Sequence, residues 1–373
     1  MSEHWPVKTL DELINEGLIT LGRGKVISRK DLAATPGTYP VYSSAKQNEG
    51  KFGEYGLFMF DEELITWSVD GGGRLFHREK HKFSVTNVGG TLRINDTSRL
   101  DYKFLYYCLN LLHSKINFDW VKKAHPSIIR KLYNEIPVPP LEEQQRIVNI
   151  LDEAFDKIAD SMDNVQSVTN SMKELIETKL QTVFHEDSLE WEKIPFEQSI
   201  VKVKATPKIK KREFKESGSY PIISQEMDYI NGYWDNTDDL LTIQTPVVVF
   251  GDHTKTLKYI DFDFVLGADG LKVLQPIESI LPKFFYHQLR SVKLETLGYA
   301  RHYKLLKQIE IRVPSMELQH QIASMFDDLA VQVSHMDGLY ERELQSFQEL
   351  KQSILQEAFN GTLRIAEGLA DQS

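Results

Sequence analysis

The chain has 373 residues, 41% of them hydrophobic and 26% charged, which suits a soluble protein of two or three packed domains. It holds no run of about 18 apolar residues, so no membrane span is expected, and its start, Met1-Ser2-Glu3-His4-Trp5-Pro6, lacks the basic-then-apolar order of a secretion signal. Cys108 stands alone, which rules out an internal disulfide and suits a reducing cytoplasm, and the net charge of −10 argues at first sight against nucleic acid.

Residues 1–140 read as a β-rich globular half. Short apolar runs such as Gly56-Leu57-Phe58-Met59-Phe60 lie between glycines and turn residues. Tyr39, Tyr42, Tyr55 and Trp67 fall near Ser43, Ser44, Lys46, Gln47, Asn48 and Arg74. The turn Asp70-Gly71-Gly72-Gly73-Arg74 lets backbone come close to a ligand. Hydroxyls, amides and cations of this kind are what reading base edges and phosphates requires, although aromatic turns are also common as plain core. A basic cluster follows at Lys122, Lys123 and His125, with Arg130 and Lys131 beyond it; a phosphate contact and a solvated face are the two readings.

A helical pattern of about 44 residues opens at Pro137-Val138-Pro139-Pro140-Leu141-Glu142-Glu143-Gln144-Gln145-Arg146-Ile147. The prolines fix its start. Spacing by alternate threes and fours picks out Leu151, Ala154, Ile158, Ser161, Val165, Val168, Met172, Leu175, Lys179 and Thr182, mostly apolar, as a coiled-coil seam.

Residues 187–315 form a second β-rich half resembling the first. Trp191 matches Trp5, and Tyr220-Pro221-Ile222-Ile223-Ser224 matches Tyr39-Pro40-Val41-Tyr42-Ser43. Ala268-Asp269-Gly270-Leu271 resembles Val88-Gly89-Gly90-Thr91-Leu92. Its binding candidates are Ser224, Gln225, Tyr233 and Trp234, with Tyr229 and Asn231 between them. The turn Gly251-Asp252-His253-Thr254-Lys255 stands where the first half has its glycines. A second basic cluster holds Arg301, His302 and Lys304, followed by Lys307. The run Lys202, Lys204, Lys208, Lys210, Lys211, Arg212 and Lys215 has no match in the first half; it is a loop along a DNA backbone or a solubilising face.

The helix opening then returns as Arg312-Val313-Pro314-Ser315-Met316-Glu317-Leu318-Gln319-His320-Gln321-Ile322, 175 positions after the first. The same offset holds to the ends, at Phe184 and Phe359. The second seam runs Phe326, Leu329, Val333, Met336, Tyr340, Glu343, Phe347, Leu350, Ile354 and Glu357, and Asn360-Gly361 stops it. Each seam needs a cover, either the other helix of the same chain or its own globular half. Helices of this length form a rod of roughly 65 Å. The half-to-half offsets drift while the helix offset stays constant, so the frame is repeated more strictly than the surfaces it carries.

Charge divides along these lines. Residues 141–187 carry a net −7 and residues 316–362 a net −6, which leaves +3 for the rest against the total of −10. The helices would be pushed off a phosphate backbone, and the globular halves would not.

Catalytic patterns are absent from the sequence. Pro139-Pro140-Leu141 lacks the amide and aromatic of an amino-methyltransferase loop, and Gly22-Arg23-Gly24 lacks a third glycine. Glu177-Thr178-Lys179 and Glu349-Leu350-Lys351 carry only part of a nuclease motif and lie on the helices. No phosphate-binding loop is present, and the histidines show no metal-ligand spacing.

The order half, helix, half, helix resembles the specificity subunit of type I restriction-modification systems. The resemblance rests on Ile136 through Ile147 and on Leu350-Lys351-Gln352-Ser353-Ile354-Leu355-Gln356-Glu357-Ala358-Phe359-Asn360-Gly361-Thr362-Leu363. In the second opening, Arg312 and Ser315 stand where Pro137 and Pro140 do, while Pro139 and Pro314 correspond. The resemblance implies an α+β chain with a pseudo-two-fold internal repeat. Two target-recognition domains, 1–140 and 187–315, are separated by spacer helices, 141–186 and 316–361, that form an antiparallel coiled coil; a tail, 362–373, follows.

It further implies a non-catalytic recognition subunit in the cytoplasm, whose two domains each read one half of a bipartite double-stranded DNA target through the major groove. The coiled coil sets the unread gap and docks two methyltransferase subunits. Those subunits bring S-adenosylmethionine and flip an adenine for N6 methylation, and restriction subunits bring ATP and magnesium. This chain itself should need no cofactor. A coiled-coil adaptor that binds only proteins would explain the helices but not two mildly basic, polar-aromatic halves of one design.

Overall fold

The computed structural model describes residues 5–44, 48–70, 72–116, 123–185, 190–204, 206–268, 270–295 and 301–360. The sequence candidates Lys46, Gln47, Gly71 and Lys122 and the tail 362–373 lie outside these residues. The chain divides into two units, Met1–Asp163 with Arg342–Ser373, and Asn164–Glu341.

The first unit is built on a six-stranded sheet. Its order is Ile19–Arg23, Gly89–Ile94, Phe60–Ser68, Leu75–Val85, Tyr39–Tyr42, Lys51–Tyr55. All neighbours are antiparallel except Tyr39–Tyr42, which runs parallel to the end of Leu75–Val85, with Val41 opposite Ser84. The strand alternation sorts side chains by face. Ile65 and Trp67 enter a large core with Leu92 and Ile94, while Leu64 joins Phe83 and Val85 on the other face. The helix Tyr102–Ser114 packs on the larger core through Phe104, Leu105, Cys108 and Leu109. Asp101 caps it by accepting from the Phe104 N–H at 2.9 Å.

The second unit repeats this plan with its sheet divided. One sheet has the order Ile200–Val201, Leu271–Pro276, Val247–Gly251, Leu257–Ile260; the other has Lys208–Ile209, Phe264–Gly267, Tyr220–Ile223, Gly232–Trp234, with Leu240–Leu241 also on Phe264–Gly267. The single long strand Leu75–Val85 thus corresponds to two short ones, Leu257–Ile260 and Phe264–Gly267. Tyr220–Ile223 again runs parallel to its neighbour, with Ile222 opposite Val265. Val248 and Phe250 face a core with the helix Pro282–Ser291, and Val247 and Val249 face another, which is why this run is apolar without a break.

The two long helices, Leu141–His185 and Met316–Phe359, take part in both units. In the first unit Ile147, Val148 and Leu151 share a core with Leu355 and Ala358. In the second, Ile176, Leu180 and Phe184 share one with Ile322, Ala323 and Phe326; the Phe184 and Phe326 rings stack at 5.9 Å. Lys173 pairs with Asp337 at 2.8 Å, and the Tyr340 hydroxyl reaches Gln166. Rising numbers on one helix meet falling numbers on the other, so the pairing is antiparallel within each unit. Each helix is covered both by the other and by a globular half, so packing does not set the helices apart as bodies of their own.

The strict heptad seam needs correction. Leu175 is 57% exposed and Leu350, 175 positions on, is 46% exposed; Val168 is exposed too. The first helix instead buries Gln144, Ile147, Val148, Leu151, Ile158, Thr169, Ile176, Leu180 and Phe184. Those spacings average near 3.6, the period of a straight helix, and a heptad frame drifts about 20° per repeat against it. Leu151, Ile158 and Phe326 are buried and Val165, Met172, Leu329, Val333, Phe347 and Ile354 half-buried, so the seam keeps partial cover along both helices with exposed positions between.

The repeated motif clamps each globular half to a helix. Gln144 is buried; its Oε1 accepts from the Asp101 N–H at 2.9 Å, and its amide donates to the Arg99 and Pro139 carbonyls at 3.0 and 2.8 Å. Gln319 does the same with the Leu281 N–H at 2.7 Å and the Ser279 and Pro314 carbonyls at 2.9 and 3.0 Å. About two turns further along, Asp152 takes Lys103 at 2.7 Å and the Tyr107 hydroxyl. Asp327, its repeat, takes Lys283 at 3.5 Å and His287 at 3.1 Å. In both cases a pair spaced i, i+4 on the domain helix grips one carboxylate. His287 is buried, and its pKa lies well below the ordinary value because burial disfavours the charged ring.

Candidate nucleic-acid interface

In the first unit, three segments that are far apart in sequence meet at one end of the sheet. Thr86 Oγ1 donates to Ser43 Oγ at 2.9 Å, and Ser44 Oγ accepts from the Asp70 N–H at 3.3 Å while donating to the Val88 carbonyl. This fixes the loop after Tyr39–Tyr42 against the turn 68–74. Lys123 then pairs with Asp70 at 3.3 Å, and the Ala124 N–H donates to the Val69 carbonyl at 2.8 Å. Asp70, Arg74 and Lys123 are exposed here, with Ser43, Ser44 and His125 half-buried beside them.

The second unit brings together the corresponding three segments. Gln225 Oε1 accepts from the His253 N–H at 3.3 Å, and its carbonyl accepts from the Thr254 hydroxyl at 2.6 Å. The Asp252 carbonyl accepts from the His302 N–H at 2.9 Å, and Asp252 Oδ1 accepts from the Tyr303 N–H at 2.8 Å. Loop, turn and basic segment are joined again. His253, Thr254, Arg301 and Lys304 are exposed, and Gln225 and Lys255 are half-buried.

Several sequence candidates are corrected. Trp67 is only 1% exposed; its Nε1–H donates to the Ala124 carbonyl at 2.7 Å, tying the sheet to the basic segment from inside. Gly90 is required beneath it, since a Cβ there would meet the indole at 2.0 Å. Ser224, Asp252 and His302 are buried and serve the same tying role. Gly72 and its neighbour Gly73 are buried with positive φ, and a Cβ on Gly73 would meet His113 at 3.1 Å, so this turn accommodates the protein's own side chains. Tyr233 and Trp234 stand at the far end of the strand from Ser224, with Trp234 opposite Tyr220 and its Nε1–H given to Asp239 at 2.8 Å.

Sequence reasoning missed one device that occurs in both units. A cation enters beneath the loop after the matched Tyr-Pro strand. In the first unit the buried Arg78 donates to the Glu49 carbonyl and to Thr66 Oγ1 at 3.2 Å, with its guanidinium 3.6 Å from the Tyr42 ring centroid. In the second, the Lys258 ammonium donates to the Ser224 carbonyl and to Asn231 Oδ1, each at 3.0 Å, and to the Asp228 carbonyl at 2.5 Å. Burial pulls the Lys258 pKa down from 10.5 to about 8, with Asp228 and Glu226 opposing the fall. The available signal was a cation inside an apolar strand, Leu257-Lys258-Tyr259-Ile260.

Comparison with known proteins places this architecture. The family described as "Type I restriction modification DNA specificity domain" matches residues 2–168 and 189–340. A putative type I specificity subunit of Mycoplasma pneumoniae is 25% identical over 355 residues, 88% of this chain and 93% of that one. The specificity subunit of a Methanocaldococcus jannaschii type I restriction enzyme is 25% identical over 344 residues, 81% of this chain and 79% of that one. Among solved structures, a chain from a type I restriction-modification complex has a TM-score of 0.69 at 16% identity, covering 97% of this chain and 99% of that one. A specificity subunit of Thermoanaerobacter tengcongensis has a TM-score of 0.51 at 16% identity, covering 97% and 98%. The two structures share the fold.

Proposed function

The chain belongs to the type I restriction-modification DNA specificity family, and from that premise we propose that its two globular halves each read one half of an asymmetric, bipartite duplex target. The observation that carries this is the recurrence, in both units, of one three-segment cluster whose exposed and half-buried residues differ. The first cluster offers Ser43, Ser44, Arg74 and Lys123; the second offers Gln225, His253, Thr254, Arg301 and Lys304. Arginine over a guanine edge and amide or hydroxyl groups over other bases supply direct readout. Lys123, Arg301 and Lys304 supply phosphate contacts, which position without specifying. Unlike side chains at like positions read unlike half-sites.

The acidic helices space the halves and receive partner subunits, since a net of −13 over the two helical segments disfavours DNA there. The chain is a recognition subunit without chemistry of its own. S-adenosylmethionine belongs to two methyltransferase subunits docked on it, and ATP and magnesium to restriction subunits. The assembly works in the cytoplasm on chromosomal DNA; no described helix is long and apolar enough to cross a membrane. Methylome sequencing of the host with and without this gene tests the reading. Loss of one bipartite, non-palindromic N6-methyladenine motif on deletion is expected, and an unchanged methylome would overturn it.

A further inference from the structure

The loop Ser224–Asn231 of the second unit is held with unusual completeness for an exposed loop. The Lys258 ammonium has three N–H donors, and all three are taken by the loop: the Ser224 carbonyl, the Asp228 carbonyl and Asn231 Oδ1. Asn231 closes the loop further. Its Oδ1 accepts from the Ser224 N–H at 2.7 Å, and its amide donates to the Asp228 carbonyl at 2.9 Å. The Tyr229 hydroxyl donates to the Tyr259 carbonyl at 2.5 Å. Burying an ammonium disfavours the charged form, so the arrangement needs a return.

The unit's own core gains only part of that return: the Tyr229 ring packs edge-on against Phe262 at 6.0 Å, while the loop's tip faces outward. Met227 is 89% exposed, and Tyr229 and Ile230 are exposed beside it. An apolar tip on a rigid pedestal is therefore presented to something outside the chain. Three facts favour DNA as the occupant. Gln225, in the same loop, is bonded to the turn carrying His253 and Thr254. That turn is bonded through Asp252 to the segment with Arg301 and Lys304. The loop's Glu226 carboxylate is paired with Lys211 at 2.6 Å.

Resting on the proposed DNA reading, we infer that Met227 is a specificity residue of the second half-site and Lys258 its positioning residue. Met227 supplies apolar contact to base edges in the major groove, of the kind a thymine methyl accepts. Lys258 touches no base and acts by fixing where Met227 stands.

The test uses the complete complex in its host, with the methylation motif sequenced for wild type, M227A and K258M. M227A lies on an exposed tip and does not threaten folding. Its expected result is an unchanged first half-site and a second half-site relaxed at one base, with preference there falling about tenfold or more. K258M should relax more than one base of the second half-site and leave the first intact, a pattern that general destabilisation does not produce. A motif unchanged at every base in both variants would overturn the inference. So would a uniform drop in methylation with both half-sites intact, which would assign the loop to a protein partner or to folding alone. Absence of any gene-dependent bipartite motif in wild type would instead sink the functional reading itself.

Discussion

Replacing Gln319 probes the joint between domain and helix most directly. The side chain is 1% exposed and bridges one N–H and two carbonyls, those of Leu281, Ser279 and Pro314. Truncation to alanine leaves these groups buried without their partner, and an unsatisfied buried group costs roughly 1–3 kcal/mol. Partial relaxation trims the sum, and the vacated volume adds to it, so Q319A should destabilise the second unit by about 2–5 kcal/mol. Against a whole-domain stability of about 5–15 kcal/mol, that brings the unit close to unfolding. Q319M fills the volume without the polar groups and isolates the hydrogen-bond share. Hydrogen exchange locates the effect. Q319A should expose amides of the helix Pro282–Ser291, and Q144A those of Tyr102–Ser114, each leaving the other helix protected. If urea unfolding placed Q319A and Q319M both within about 0.5 kcal/mol of wild type, the clamp would have no energetic role and the reasoning would fail.

Three further outcomes are expected. His287 is held neutral by burial, so the unfolded chain takes its proton more readily; stability should fall as pH drops below the ordinary value of 6.5, and H287F should flatten that slope in melting curves against pH. Lys258 works with the same sign in a higher window: its folded pKa of about 8 lies below the ordinary 10.5, so stability should rise by up to ~3 kcal/mol across that interval in wild type and not in K258M. Seven residues inserted into both long helices add about 10.5 Å and nearly two whole turns. On the proposed function, the unread gap should lengthen by roughly three base pairs, and an unchanged recognition motif would count against the spacer role.

The sequence made the repeat, the two helices and the β-rich halves visible, because periodicity and matched motifs survive duplication. It also located the three segments of each cluster. What it misjudged were side chains whose role depends on which way they face. Trp67 shares its strand parity with Ile65 and so belongs to the core, a signal that its turn-side position obscured. Asp252 and His302 look like contact residues by type, yet they bond each other's segments from within. Gln144 and Gln319 were plain as repeated letters, but polar residues at a helix start are read as solvated until a neighbouring helix end arrives to use them. The seam failed at Val168, Leu175 and Leu350, because a strict heptad frame drifts in angle against a straight helix.

The division of the long helices between the units bears on how the chain is made. The second unit, Asn164–Glu341, is continuous and has all its parts once residue 341 has been synthesised. The first is not, because the Ile147, Val148 and Leu151 stripe is completed by Leu355 and Ala358, some two hundred residues later. During translation the earlier half therefore waits, with an apolar stripe uncovered, while the later half can already close, the reverse of the usual N-terminal-first order. A chain released before residue 342 would carry a finished second unit and a sticky first one, so a ribosome stalled there makes an aggregation-prone product instead of a functional half.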